Sequence, residues 1–235
     1  MASASQTYAV ILGDTHHPFS CHRSLTKAYA LIEKLQPQYV VQVGDVYDLY
    51  SFSRYGKSLN HTTPASEVHK ARKAAEKMWD AVRKASPKSK LHQMLGNHDA
   101  RLYKKIEEKL PEMVGLLGWD DLFTFDGVTT AKSDRDILKL NLGGKKVYFH
   151  HGFLSKPGDH LRYFQQNTVI GHSHRGHVLY DTTHDKMLFE ANAGYLGDPR
   201  SHVFKYGAVA GKNKWTRGCL VIDELGPRFT SFEAQ

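Results

Sequence analysis

The sequence predicts an α/β fold organised around a parallel sheet, and three observations lead to it. Two short apolar runs, Tyr8 to Leu12 and Tyr39 to Val43, flank a segment with helical spacing, which is the order of a strand–helix–strand crossover unit. Each run stops at a glycine followed by a carboxylate, Gly13-Asp14 and Gly44-Asp45, and functional groups at the carboxyl ends of strands are the usual site geometry of open α/β sheets. Farther along, segments with strand periodicity and a Gly143-Gly144 hairpin supply a second set of strands.

The elements follow in order. Tyr8 to Leu12 is too short and too apolar for anything but a buried strand. Leu25, Ala28, Tyr29, Ile32 and Leu35 give residues 23–35 one apolar helical face, stopped by Pro37. Residues 49–60 lack periodicity and read as a loop. Thr63 is placed to cap a helix with Pro64 in its first position, and Val68, Ala71, Ala75, Met78, Trp79 and Val82 form its core stripe. Pro87 closes that helix before the strand Leu91 to Leu95, and Arg101 opens a helix to Leu110. Residues 111–135 show no clear element. Ile137 to Leu142 alternates like a half-buried strand, and the hairpin glycines turn it into Lys145 to Phe149. Thr168 to Ile170 is a brief strand, and Val178 to Tyr180, Met187 to Phe189, Leu220 to Ile222 and Phe229 to Phe232 read as further, antiparallel ones.

Length and charge set the bounds. With 40% hydrophobic residues among 235, the chain can bury one large core, so a single domain over 1–235 is expected, with a basic loop and helix inserted at about 50–90. No apolar run approaches the ~20 residues of a membrane span, and Met1 to Thr7 lacks the basic start and apolar centre of a secretion signal. A soluble, cytoplasmic protein without membrane partners is expected. Cys21 and Cys219 are too few for a disulfide framework and are expected to be reduced and structural. The formal charge of +8 is concentrated: residues 54–90 hold ten Lys or Arg and three Asp or Glu, a local excess of +7. Such a stretch is either a solvated face or a site for nucleic acid.

The chemistry lies just after the strands. Asp14 and His16, one residue apart, can face the same side of an extended segment, as two ligands of one ion must. Asp45 repeats the placement of Asp14. Gly96-Asn97-His98-Asp99 puts an amide oxygen donor, a group that titrates near neutral pH and a carboxylate on consecutive residues. Of His150 and His151, the latter precedes Gly152 at a strand end and is the candidate ligand, while His150 should point to the opposite face. His172 and His174 can reach two adjacent ions or one ion from one side. Arg54, Tyr55 and Lys57 are available for a phosphate or simply decorate a loop. Arg101 can grip a phosphate oxygen in bidentate fashion or pair with Glu107 or Glu108.

Taken in order, Asp14-x-His16, Gly44-Asp45-x-x-Asp48, Gly96-Asn97-His98-Asp99, His151-Gly152 and Gly171-His172-x-His174 resemble the five signatures of the calcineurin-like metallophosphoesterase superfamily. More loosely, Ser53-Arg54-Tyr55 and the placement of Arg101 are similar to uncharacterised phosphoesterases of bacteriophage genomes; a phage-encoded chain would act in the host cytoplasm. The superfamily resemblance implies a four-layer α/β/β/α sandwich with two divalent metal ions. Asp14, His16, Asp45 and His174 would hold one and Asp45, Asn97, His151 and His172 the other, with Asp45 as the bridge. Manganese is the expected ion, with iron, zinc or nickel as alternatives, since mixed carboxylate, imidazole and amide ligands suit such metals. Paired cations would polarise a phosphate oxygen and acidify a shared water, so that hydroxide attacks phosphorus in line with the leaving group. His98 would then protonate the departing alkoxide, its ring oriented by Asp48 or Asp99.

Departures from the superfamily narrow the substrate. Its protein serine/threonine phosphatases carry arginines just after the second signature and just before the third; here those residues are Leu49 and Leu95. What is left is a phosphodiesterase or phosphatase acting on nucleotides or nucleic acid. The alternatives are a DNA exonuclease or endonuclease of the repair type and a non-catalytic scaffold of the same fold. The intact ligand set and His98 argue against the scaffold.

Overall fold

Alternation along β1 (Thr7–Leu12) already divides the molecule, because successive side chains of a strand face opposite sides. Val10 and Leu12 pack into one apolar cluster and Ala9 and Ile11 into another. In this computed structural model, which describes residues 6–55, 62–183, 186–204 and 214–233, β2 (Tyr39–Val43) does the same, with Val40 on one side and Val41 and Val43 on the other. One cluster joins the first sheet to helices α1 (His22–Leu35) and α2 (Pro64–Ala85); the other fills the space between two sheets.

The strands β3 (Lys90–Met94) and β4 (Val128–Thr130) continue the first sheet in parallel, and β10 (Gly218–Asp223) and β11 (Gly226–Ser231) complete its other side antiparallel, giving the order β11-β10-β1-β2-β3-β4. The second sheet runs β5-β6-β7-β9-β8, from β5 (Leu138–Leu142), β6 (Lys145–Phe149), β7 (Asn167–Ile170), β8 (His177–Thr183) and β9 (Lys186–Asn192). Short helix α5 (Asp159–Phe164) lies outside this sheet, where Phe164 meets the His150 ring at 4.9 Å. The layers are therefore helix, sheet, sheet, helix.

Local chemistry explains the boundaries. Thr63 Oγ1 accepts the Ser66 N–H at 3.3 Å and Pro64 starts α2. Gly143 and Gly144 both take positive φ, 56° and 82°, so the two-residue turn joins β5 to β6 with the right-handed twist of a hairpin. Helix α3 (Arg101–Lys109) ends before Pro111.

Three expectations change. Residues 111–135 contain α4 (Trp119–Phe123) and the parallel edge strand β4, both too short to leave a periodic signal. The late strands are not all antiparallel, because β9 runs parallel to β7. The basic helix read as an insertion joins β2 to β3 as a crossover, with Ala71, Ala75, Met78, Trp79 and Val82 fully in the core and Lys70, Lys73, Lys77 and Lys84 exposed on its outer side. Lys57 lies outside the described residues. No helix among them is long and apolar enough to cross a membrane, and Cys21 and Cys219 are free and buried.

A buried carboxylate ties α5 to the second sheet. Glu190 on β9 is fully buried and accepts the N–H groups of Gly158 (2.7 Å), His160 (3.0 Å) and Leu161 (3.1 Å), with His177 Nε2 at 3.1 Å. Burial alone would raise its pKa, but His177 and the backbone donors hold it down to about 2. A depressed carboxyl stabilises the fold only where it is ionised. Glu190→Gln is expected to cost about 1–3 kcal/mol at neutral pH, with the gap to wild type narrowing as pH falls from the ordinary 4.5 towards about 2. Urea melts across that range check this, and equal stability of the two proteins at pH 7 refutes it.

Candidate metal centre

Five segments reach one place because their strands are neighbours. Strands β1, β2 and β3 are adjacent and parallel in the first sheet, and β6 and β7 are adjacent and parallel in the second. Their carboxyl ends therefore meet along one seam. Asp14 and His16 follow β1, Asp45 and Asp48 follow β2, Asn97 and His98 follow β3, His151 follows β6, and His172 and His174 follow β7. Backbone bonds join the segments: His16 N–H donates to Asp45 O at 2.9 Å and Gly171 N–H to His151 O at 2.9 Å.

The backbone is shaped for this convergence. Among the described residues, seven that are not glycine have positive φ, and Gln36, Leu49 and Gln165 are caps of helical turns. The other four are His16 (48°), Asp45 (50°), His172 (67°) and His174 (60°), all expected ligands. Each such conformation costs on the order of 1–3 kcal/mol and is kept where the surroundings over-determine it, typically at functional sites. Two glycines make room. A Cβ on Gly96 would collide with Asp45 Oδ1, and one on Gly171 with Asp14 Oδ1.

The side chains form two linked groups. In the first, His16 Nε2 is 3.0 Å from His174 Nε2, and His174 Nε2 is 3.1 Å from Asp14 Oδ2. In the second, Asn97 Oδ1 is 3.1 Å from His151 Nε2 and 2.9 Å from His172 Nδ1, and His151 Nε2 is 3.3 Å from Asp45 Oδ2. Asp45 Oδ2 also lies 3.9 Å from His16 Nε2, so it stands between the groups. Two triplets drawn from the expected ligands, Asp14-His16-His174 and Asp14-Asp45-His151, have donor atoms close enough to share an ion.

His151 Nδ1 is 3.0 Å from Val43 O, which only accepts, so Nδ1 carries the hydrogen. Its Nε2 then faces an amide oxygen and a carboxylate oxygen, neither of which can donate, and at 3.3 Å His172 Nδ1, which lies closer, 2.9 Å, to Asn97 Oδ1. A second proton on His151 or a cation would satisfy these acceptors. The same demand appears in the acidities. Burial opposes a charged His151, yet Asp45, Asp14 and the Val43 carbonyl raise it to about 10. Burial likewise opposes an ionised Asp45, yet His151, His98 and His16 hold it well below the carboxylate range. Nitrogen and oxygen donors without sulfur fit a borderline or hard divalent ion.

Around these groups the structure places the remaining candidates. His98 Nδ1 is 3.4 Å from Asp48 Oδ2, and His16 Nδ1 is 3.0 Å from the same oxygen, so Asp48 stands behind both rings. Asp99 is not at the His98 ring. Its carboxylate accepts the N–H groups of Val46 (3.1 Å), Tyr47 (2.8 Å) and Gly96 (2.8 Å) and clamps the loop after β2 to the loop after β3. Burial and the charge of Asp45 push its pKa up to about 7. His98 Nε2 lies within ligand distance of Asp45 and His16 as well, 3.9 Å from Asp45 Oδ2. Arg101 Nη2, however, sits 2.9 Å from that nitrogen and puts a fixed positive charge beside it. His150 turns away, against Phe153, His160 and Phe164.

Residues 8–225 match the calcineurin-like phosphoesterase family. The chain belongs to that family. Two curated relatives are the gene 54 proteins of Mycobacterium phages D29 and L5, each 25% identical, with 91% of this chain aligned to 88% and 87% of theirs. A solved structure described as a novel archaeal phosphodiesterase aligns over 95% of this chain and 99% of its own, with a TM-score of 0.49 and 13% identity.

In this calcineurin-like phosphoesterase, Arg101 does not pair with Glu107 or Glu108. Its Nη1 donates to Asp48 O (2.8 Å) and approaches Asp48 Oδ1 (3.2 Å), which puts the guanidinium at the rim of the centre. Arg54 is exposed and lies over its neighbour Tyr55. Sequence reasoning missed an aromatic wall. His174 stacks on Tyr195 at 5.1 Å and meets Trp215 edge-on at 4.4 Å, and His16 meets Phe204 at 5.1 Å. These rings come from a region with no motif, so nothing in their spacing marks them.

Gly171→Ala is expected to displace the Asp14 carboxylate and weaken manganese binding roughly tenfold or more, read by titration calorimetry. Unchanged affinity in a folded variant would show that Asp14 does not depend on this close approach.

Proposed function

We propose that the chain is a metal-dependent hydrolase of phosphate esters, acting on nucleotides or nucleic acid with two divalent cations, manganese foremost. One ion is assigned to Asp14, His16, Asp45 and His174, and the other to Asp45, Asn97, His151 and His172. The observation that carries this reading is the convergence of carboxylate, amide and imidazole atoms around Asp45, close enough to share an ion. Bound there, such ions supply the charge that polarises a phosphate oxygen and acidifies a water able to attack phosphorus.

The other residues divide the remaining work. Arg101, tethered to Asp48 at the rim, is placed to donate to a phosphate oxygen. An N–H of that guanidinium points at His98 Nε2, so this nitrogen presents a lone pair, while Nδ1 faces Asp48. When Arg101 turns to a phosphate, Nε2 is freed to take a proton from solvent and pass it to the leaving alkoxide. With Arg101 beside it, burial and that guanidinium lower the His98 pKa and keep the ring neutral. Asp99 positions both loops through backbone N–H groups and touches no reacting atom in this scheme. The exposed lysines of α2 offer a surface to nucleic acid.

Phosphomonoesters, cyclic nucleotides and single- and double-stranded DNA, each assayed with manganese and again with a chelator, test the proposal. Chelator-sensitive hydrolysis of at least one class is expected, and a purified protein that binds no manganese overturns it. His98→Ala should lower turnover by roughly 10² to 10⁴ while bound metal stays near the wild-type amount. Loss of metal from that variant would make His98 a ligand instead.

A further inference from the structure

The loop that follows His151 is held by one imidazole from the α5 side of the second sheet. His160, in the first turn of α5, is fully buried, and its Nε2 lies 3.0 Å from the Phe153 nitrogen and 3.1 Å from the Leu154 nitrogen. Backbone N–H groups only donate, so Nε2 offers its lone pair to both and the ring hydrogen sits on Nδ1. Burial lowers the His160 pKa against the pull of Glu190 and Asp159, which keeps the ring in that neutral form. Nδ1 stands 3.8 Å from Glu190 Oε2. The same carboxylate grips the amino end of α5 through the N–H groups of Gly158, His160 and Leu161. The second sheet therefore sets where the imidazole sits, and the imidazole sets where the loop runs.

The anchored peptide lies behind two of the expected ligands. His151 is joined to it covalently. Gly152, with φ 104°, passes between His172 and His160: a Cβ there would stand 3.3 Å from His172 Cβ and 3.5 Å from His160 Nε2. The His151 carbonyl accepts the Gly171 N–H at 2.9 Å, so the segment that carries His172 is tied to the same loop. Both imidazoles belong, with Asn97, to the second assigned ion. The rings of His16 and His174, assigned to the first, rest instead on Phe204, Tyr195 and Trp215. Support from His160 thus bears on one ion of the two.

We propose that His160 is a positioning residue for the second ion: by accepting the Phe153 and Leu154 N–H groups it fixes the loop that keeps His151 and His172 in place. It touches neither the ion nor a substrate. This rests on the two-ion reading above and divides the support of its two sites, one depending on α5 and the other not. Groups that orient metal ligands from outside the coordination sphere commonly govern affinity as strongly as this.

The test compares full-length wild type, His160→Phe and His160→Gln with manganese as the probe. Glutamine can bring its amide oxygen near the place of Nε2 and accept the two N–H groups, whereas phenylalanine fills the space and accepts nothing. His160→Leu replaces the phenylalanine variant if the larger ring prevents folding. His160→Phe should weaken one of two manganese sites roughly 10- to 100-fold by calorimetry and leave the other near wild type, and His160→Gln should restore the weakened one. Anomalous diffraction from His160→Phe crystals soaked in manganese should keep the peak beside His16 and His174 and lose the one beside Asn97, His151 and His172. Hydrogen exchange in the metal-free proteins gives a reading that needs no ion: the Phe153 and Leu154 amides should exchange faster in His160→Phe than in wild type or His160→Gln. Equal weakening of both sites, wild-type affinities in His160→Phe, or a glutamine variant as weak as the phenylalanine one overturns the proposal. Wild-type protein that takes up no manganese overturns the two-ion reading, whereas unchanged exchange at both amides in His160→Phe overturns the anchor whatever the metal does.

Discussion

The Asp45 carboxylate is buried where the ends of two sheets meet, and the rest of the site answers to its charge. An ionised carboxylate removed from water is costly unless positive charge or hydrogen-bond donors surround it. Here Oδ1 takes the His98 N–H at 2.8 Å and Oδ2 faces His151 at 3.3 Å, with His16 and His98 each at 3.9 Å. Three strand ends from two sheets therefore converge on one oxygen. A cluster so rich in acceptors could hold a divalent cation, as members of this family generally do.

Much of the surrounding chain serves to keep that arrangement open. Gly96 and Gly171 leave room beside Asp45 and Asp14, and four candidate ligands are held in left-handed backbone conformations. Asp99 fixes two of the loops through three backbone donors, and Asp48 sets two imidazoles and Arg101 in place from behind. The wall formed by Tyr195, Phe204 and Trp215 lowers the local dielectric around His16 and His174, which strengthens every charge interaction there.

What the sequence reveals and what it hides follow from the range of the interactions. Asp14, Asp45, Asn97, His151 and His172 are legible because a short apolar run, a nearby glycine and a ligand type recur in a single order, and each of these signals is local. The split between His150 and His151 is legible for the same reason, since alternation fixes opposite faces. Strand β4 and helix α5 are too short to show a period. The direction of Arg101 depends on Asp48, which lies 53 residues away, and nothing beside Arg101 in the chain encodes it. Asp99 looks like a catalytic neighbour of His98 until the backbone groups it binds are seen. The left-handed angles at His16, Asp45, His172 and His174 have no residue signature at all.

Anomalous diffraction at the manganese edge, from crystals of the wild-type protein soaked in manganese, addresses the central claim most directly. The account predicts two peaks on either side of Asp45, roughly 3.5–4 Å apart, one bounded by His16 and His174 and the other by Asn97, His151 and His172. A single peak, or peaks that leave Asp45 out of contact, would contradict it.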